Sequence, residues 1–191
     1  MAYDQYSVGS DIAGPIAAQQ WFIESMNVRL KELPAEKYIV ALGNYGYDWE
    51  GGTISGKTYT FQEAMLSAKD SESKIFFDQN SLNPTYNYFD GDTIHHVWFL
   101  DATTVFNEIS FLSKVPVHGF ALWRMGSEDP SVWKVISQRD SLNVDTAKSF
   151  ISLDYGYDID YQGHGEILRV MSVPAKGARH LTFDQNIGLI T

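Results

Sequence analysis

The chain has 191 residues, 44% of them hydrophobic and 14% aromatic, which is enough for one folded domain with a sizeable core and a small appendage. A formal net charge of -10 argues against a nucleic-acid partner, because phosphate binding draws on clustered Lys and Arg, and a neutral or sugar-like ligand fits better. The absence of cysteine excludes disulfides and thiolate metal sites, no apolar run is long enough to span a bilayer, and the opening MAYDQYSVGSD lacks the basic start and apolar centre of a signal peptide.

After a Gly14-Pro15 break, Ala18, Phe22, Met26, Leu30 and Leu33 recur at three- and four-residue steps, predicting an amphipathic helix stopped near Pro34. YIVALGNYGYDW then reads as a continuous apolar strand of a parallel sheet that opens into an aromatic loop. Gly51, Gly52 and Gly56 mark a loop, and TFQE offers a capping box from Thr60 to Glu63 for a helix running to about Lys69. KIFFDQNSLNPTYNYFDGDTIHHVWFL reads as two or three strands with turns at Asn83-Pro84 and Asp90-Gly91. Together these pieces predict an α+β unit inserted at about residues 51–100.

The strand-helix pattern resumes with Asp101 as an N-cap and Val105, Ile109 and Leu112 along one helix face, followed by the strand VHGFALW. Asp129-Pro130 caps a further helix through Val132, Trp133 and Ile136. Residues 138–191 change to aromatic and acidic residues and then two strand-like runs, and they read as a β-rich tail or linker.

Three stretches in this order resemble the second half of a family 18 glycoside hydrolase, the chitinase-like group. MAYD (Met1 to Asp4) is similar to its sixth barrel strand, ALGNYGYDW (Ala41 to Trp49) to its seventh with the aromatic loop after it, and GFALWRMGSED (Gly119 to Asp129) to its eighth. The resemblance covers residues 1–137. It implies an α/β fold, the C-terminal part of a (β/α)8 TIM barrel with an inserted α+β unit and a β-rich tail. HHVWFLDATTVFNEI followed by GFALWRMGSEDPSVW is similar to the family 18-like domains of large bacterial proteins that also carry a glycosyltransferase and a polysaccharide deacetylase, and the tail, with GHGEILRV, resembles the connector into that deacetylase. Met1 falls where the family has a methionine inside the barrel, so a truncated reading frame is one origin to consider. The resemblance also names the N-terminal half of the barrel as a partner, and leaves the location of the parent protein open between cell envelope and extracytoplasmic space.

By resemblance Tyr3 and Asp4 hydrogen-bond an N-acetyl group, and Trp123 forms the floor of the subsite beside the cleaved bond. Sugars present apolar C–H faces to aromatic rings and hydroxyls to polar side chains, and strand C-termini face the ligand side of a barrel, so Tyr45 and Trp49 join the candidate substrate-binding set. DYGYDIDYQGHGE, from Asp154 to Glu166, is similar to the family's catalytic acidic run, but that run lies on the fourth strand, before everything recognised here. After Asp158 and Asp160 the place of the catalytic Glu is taken by Gln162, whose carboxamide has no proton to titrate. No catalytic residue is assigned in this chain. Adjacent His95 and His96 point to opposite faces of a strand and cannot ligate one metal together; Glu128 is read as support for its loop, and no metal or cofactor is expected. The implied ligand is an N-acetylglucosamine-containing polysaccharide, with the parent either a hydrolase or, in a second reading, a non-catalytic module that positions a neighbouring enzyme on its polysaccharide.

Overall fold

The computed structural model describes residues 1–51 and 56–137, together with the backbone of 159–160, 182–183 and 189–190. The first helix, α1 (Gln19–Arg29), ends one residue before Leu30, and Leu33 is exposed beyond it. The apolar run that follows is not one strand. It divides at Asn44-Tyr45 into β1 (Ile39–Gly43) and β2 (Gly46–Glu50), which belong to different sheets. The physical reason lies in the partners: β1 finds a parallel neighbour, whereas Gly46 lets β2 approach Phe99, where an added Cβ would meet Phe99 Cβ at 2.5 Å.

Next come β3 (Gly56–Tyr59), α2 (Phe61–Asp70), β4 (Ile75–Phe77), β5 (Pro84–Asp90) and β6 (Thr93–Phe99). The capping box read from TFQE is present in full at α2: Thr60 Oγ1 accepts from Glu63 N–H at 3.1 Å, and Glu63 Oε2 from Thr60 N–H at 2.8 Å. The turn at Gly91, with φ of 57°, joins β5 to β6. These strands form a sheet in the order β3-β2-β6-β5-β4-β8, antiparallel except where β4 meets β8 (Ile159–Asp160). The inserted sheet therefore takes in Gly46–Glu50 as well as residues after 51.

Helix α3 (Ala102–Leu112) starts at Asp101, whose Oδ1 accepts from Thr104 N–H at 2.8 Å, as its N-cap position predicts. β7 (Gly119–Trp123) and α4 (Val132–Ser137) follow. β7 pairs with β1 in parallel, Ile39 opposite Gly119 through Gly43 opposite Trp123. Residues 1–4 run beside β1 with a backbone bond from Ala2 N–H to Ala41 O of 2.9 Å but do not form a strand. The expected three-stranded parallel layer is thus two strands, and no closed barrel is present among the described residues.

Three apolar clusters hold this together. α1, α3 and α4 cover one side of β1 through Phe22, Met26, Leu42, Val105, Ile109 and Val135, each such side chain contributing about 1.5–3 kcal/mol when fully buried. α2 covers one face of the antiparallel sheet with Phe61, Ala64, Met65 and Ala68 against Tyr86, Val97 and Phe99. The third cluster joins the two layers through Tyr3, Ile16, Tyr45, Tyr47, Trp49 and Leu100. Of the predicted β-rich tail, β9 (Thr182–Phe183) and β10 (Leu189–Ile190) pair antiparallel; the rest of 138–191, including all but two residues of DYGYDIDYQGHGE, lies outside the described residues.

Candidate functional site

The candidate site forms where β1 and β7 end together. Gly43 lies opposite Trp123 in the register, and Asn44 N–H donates to Trp123 O at 2.9 Å. A side chain at 43 would collide with Leu100 Cδ1 at 2.7 Å and Tyr3 Cβ at 3.0 Å, so glycine is what allows residues 1–4 to pass close to the strand end. Asp4 then projects from a left-handed backbone with φ of 63°, a conformation that Asp tolerates better than bulkier residues and that recurs at functional sites.

One oxygen of Asp4, Oδ1, accepts hydrogen bonds from both the Tyr45 hydroxyl and the Tyr47 hydroxyl, the latter at 2.9 Å. β2 explains the pairing: residues two apart share a face, so Tyr45, Tyr47 and Trp49 form a row with ring centroids 5.3 and 5.4 Å apart, each contact edge-on. Burial, and then the bond to Asp4, push the Tyr47 hydroxyl up to about 12 and the Tyr45 hydroxyl higher still. Both remain protonated donors at neutral pH. Asp4 itself is exposed, and with Oδ1 occupied, Oδ2 is the carboxylate oxygen not engaged by these tyrosines.

Of the five candidate residues, the structure gathers Tyr3, Asp4, Tyr45 and Trp123 at this end, with Trp49 at the far end of the tyrosine row. They differ in access. Trp123 is 56% exposed, whereas Tyr3, Tyr45 and Trp49 are at most 7% exposed. Tyr3 packs edge-on against Tyr45 at 5.9 Å. Trp49 and Tyr45 sit on or beside a strand under the 5–17 segment rather than in an open loop, so neither ring is presented to solvent. Tyr47 was missed by sequence reasoning; the alternation Tyr45, Tyr47, Trp49 was the signal that places all three on one face.

On the opposite face of β2, Asp48 accepts from the Tyr88 hydroxyl at 2.8 Å and is bonded to His95 Nδ1 at 3.0 Å, while His96 pairs with Asn87 Oδ1 at 2.8 Å. The two histidines thus have separate partners, as their adjacency on a strand requires. Glu128 supports its loop through the Trp133 indole N–H at 3.2 Å.

No family model matches the chain. It is 31% identical over 121 residues to the cortical fragment-lytic enzyme of Bacillus subtilis (strain 168), a match covering 60% of this chain and 27% of that protein. To the uncharacterized glycosylase YvbX of the same organism it is 26% identical over 140 residues, covering 71% of this chain and 40% of that one. Among solved structures it is similar to a chitinase from Chromobacterium violaceum ATCC 12472, with a TM-score of 0.68 and 24% identity over 75% of this chain and 45% of that chain. The chain therefore spans less than half the length of these relatives, and the part it spans has a chitinase-like mixed α/β fold.

Proposed function

We propose that this chain supplies the ligand-gripping part of a family 18-like glycoside hydrolase domain that takes N-acetylhexosamine glycans of the chitin or peptidoglycan type. The observation that carries the reading is the exposed Asp4 carboxylate, held by two buried tyrosine hydroxyls, together with the exposed Trp123, whose backbone ends β7 opposite Gly43 at the end of β1. The likeness to a cortical fragment-lytic enzyme and a glycosylase supports it. In this reading Trp123 offers its ring face to the apolar side of a sugar and Asp4 Oδ2 accepts from the acetamido N–H. Tyr3 and Tyr45 back Asp4 rather than touch the glycan directly, and Trp49 steadies the tyrosine row.

The same reading assigns no proton donor to this chain. Family 18 chemistry needs a positioned glutamic acid while the substrate's own acetamido oxygen attacks, and the chain's one similar run has Gln162 in that place. Residues 1–137 act as the C-terminal half of the barrel, 138–191 as tail or linker, and the complementary half as the partner that completes the groove and brings the acid. The second reading, a non-catalytic module of a polysaccharide-synthesising or deacetylating protein, uses the same groove and draws on the resemblance of its wording to glycosyltransferase and deacetylase fusions.

A calorimetric titration with an N-acetylglucosamine oligomer tests the site. Trp123→Ala weakens binding about threefold to tenfold, the worth of one aromatic stacking contact, and more than Tyr45→Phe does. A negligible loss for Trp123→Ala would return that residue to structural duty. A fluorogenic oligomer assay on the chain alone gives no turnover; activity that disappears on Asp158→Asn would show that the acid lies in the run containing Gln162 after all.

A further inference from the structure

The first turn of a helix leaves backbone N–H groups without intrahelical partners. Two such donors, from two different helices, are taken up by the loop that follows Trp123. Phe61 N–H, the first of α2, donates to Ser127 O at 2.8 Å. Ala102 N–H, the first of α3, donates to Asp129 Oδ2 at 2.9 Å. Gln62 Nε2 adds a bond to Glu128 O at 3.2 Å. Within the loop, Asp129 Oδ1 accepts from Ser131 N–H at 2.9 Å, and Arg124 Nε donates to Ser127 Oγ at 3.3 Å. Residues 124–131 therefore fasten the inserted unit, through α2, and the helix layer, through α3, to the end of β7.

We propose that Asp129 is the positioning residue for Trp123, its carboxylate bolting the 124–131 loop to the N-terminus of α3 and so fixing where the indole stands relative to Asp4. The consequence for binding rests on the reading of Trp123 as the floor of a glycan site. On its N-terminal side Trp123 is fixed by its register with Gly43 and by Asn44 N–H. More than half of the residue is exposed, so backbone placement rather than enclosing side chains decides where the ring lies. On its C-terminal side that placement passes through the loop, and Asp129 is the loop's one acidic side chain bonded to α3.

The charge on this bolt is adjustable. Burial first, and then the carboxylate of Asp101 at the α3 N-cap, push Asp129 up to about 6, outweighing the two backbone N–H bonds that pull it down. The other ionisable groups around it are committed elsewhere or outward: Asp101 Oδ1 accepts from Thr104, Glu128 turns to Gly126 N–H and the Trp133 indole, Arg124 turns to Ser127, and Lys134 on α4 is exposed. Because the folded value is raised, the neutral form is favoured by folding, and that contribution is lost as pH rises through about 6. Across the same interval the bonds to Ala102 and Ser131 become charge-assisted while burial and the Asp101 carboxylate oppose the charge, so ionisation alters the forces on the loop that carries Trp123.

The test uses the full chain labelled with 5-fluorotryptophan, with the Trp123 fluorine resonance assigned by its loss in Trp123→Phe. Between pH 5 and 8 the Trp123 resonance shifts with a midpoint near 6, following Asp129, while that of the remote Trp21 stays in place. Asp129→Asn, which keeps one acceptor but no charge, removes the shift. Asp101→Asn, which still caps α3, moves the midpoint to lower pH by removing the neighbouring charge and serves equally should Asp129→Asn fail to fold. A Trp123 resonance that ignores pH, titrates unchanged in Asp129→Asn, or keeps its midpoint in Asp101→Asn overturns the proposal. Adding an N-acetylglucosamine oligomer to the same sample reads the glycan assignment separately: a Trp123 resonance that titrates with pH yet ignores the oligomer refutes the glycan site and leaves the bolt standing.

Discussion

Glu108 is fully buried, with a relative exposure of 0%, and neither of its carboxylate oxygens has a hydrogen-bond partner. Its helix explains the position, since nine of the eleven residues of α3 are buried and the helix has almost no solvent face on which to put a charge. Desolvation raises its pKa well above the ordinary carboxylate range. The sign follows: the neutral acid is favoured by folding, so its contribution is complete below the unfolded value of about 4.3 and is lost as pH rises toward the folded one. Each pH unit within that interval costs about 1.4 kcal/mol for one proton. Glu108→Gln, neutral at all pH, should match the parent within about 1 kcal/mol at pH 5, and then exceed its stability by a margin that widens at the stated slope. Glu108→Met, which also removes the two unpartnered oxygens, should add about 1–3 kcal/mol at every pH. Urea unfolding from pH 5 to 8 checks this. Asp129 gives a slope of the same sign below about 6, but it is common to parent and variant and cancels in the difference. Parallel stability curves for the parent and Glu108→Gln would refute the reasoning, because they would mean that Glu108 is ionised and satisfied in the folded state.

Two further perturbations probe the frame around the site. Asn83 is fully buried and bonds both backbone groups of Ala17, Oδ1 to its N–H at 3.1 Å and Nδ2 to its C=O at 3.0 Å. Asn83→Ala leaves both without a partner and should cost about 2–4 kcal/mol in urea unfolding; a loss under about 0.5 kcal/mol would mean that water replaces it freely. Thr60→Ala removes one half of the α2 capping box and should cost about 1 kcal/mol, with Thr60→Ser restoring most of it. A thermal melt that does not move for Thr60→Ala would show that α2 is held by its packing on the sheet alone.

The helices were legible because their signals are local. Apolar spacing found α1 and α3, and short polar motifs at Thr60, Asp101 and Asp129 marked three helix starts before any tertiary contact was considered. The division of YIVALGNYGYDW was not legible for the opposite reason. Gly43, Asn44 and Gly46 mark a break and an aromatic loop after it, but nothing in the run shows that this loop is itself a strand, which only the arrival of β7 on one half and β6 on the other decides. Burial of Glu108 was equally hidden: Val105, Ile109 and Leu112 announced one covered face of α3, while the covering of the other depends on residues far away in the chain. The site was half legible. Tyr3, Asp4 and Trp123 were named by resemblance and Tyr45 and Trp49 from their place at a strand end, but the division into exposed Asp4 and Trp123 and buried Tyr3, Tyr45 and Trp49 depends on packing that spacing does not reveal.

That division follows from the junction. Had the run continued as one parallel strand, Tyr45 and Tyr47 would still have shared a face, but they would have continued along the β1-β7 layer instead of entering the second sheet. Because the chain leaves β1 at Gly43 and enters the antiparallel sheet at Gly46, the row Tyr45, Tyr47, Trp49 turns toward residues 3 and 4 and closes the third apolar cluster. The inserted sheet and the parallel pair therefore meet through the residues that hold the Asp4 carboxylate. The loop after Trp123 joins the same two layers a second time, through Ser127 and Asp129. Asp4 is held by tyrosines of the inserted sheet's row, and the loop after Trp123 is bonded to both α2 and α3, so a shift of the inserted sheet would be felt at Asp4 and at that loop alike.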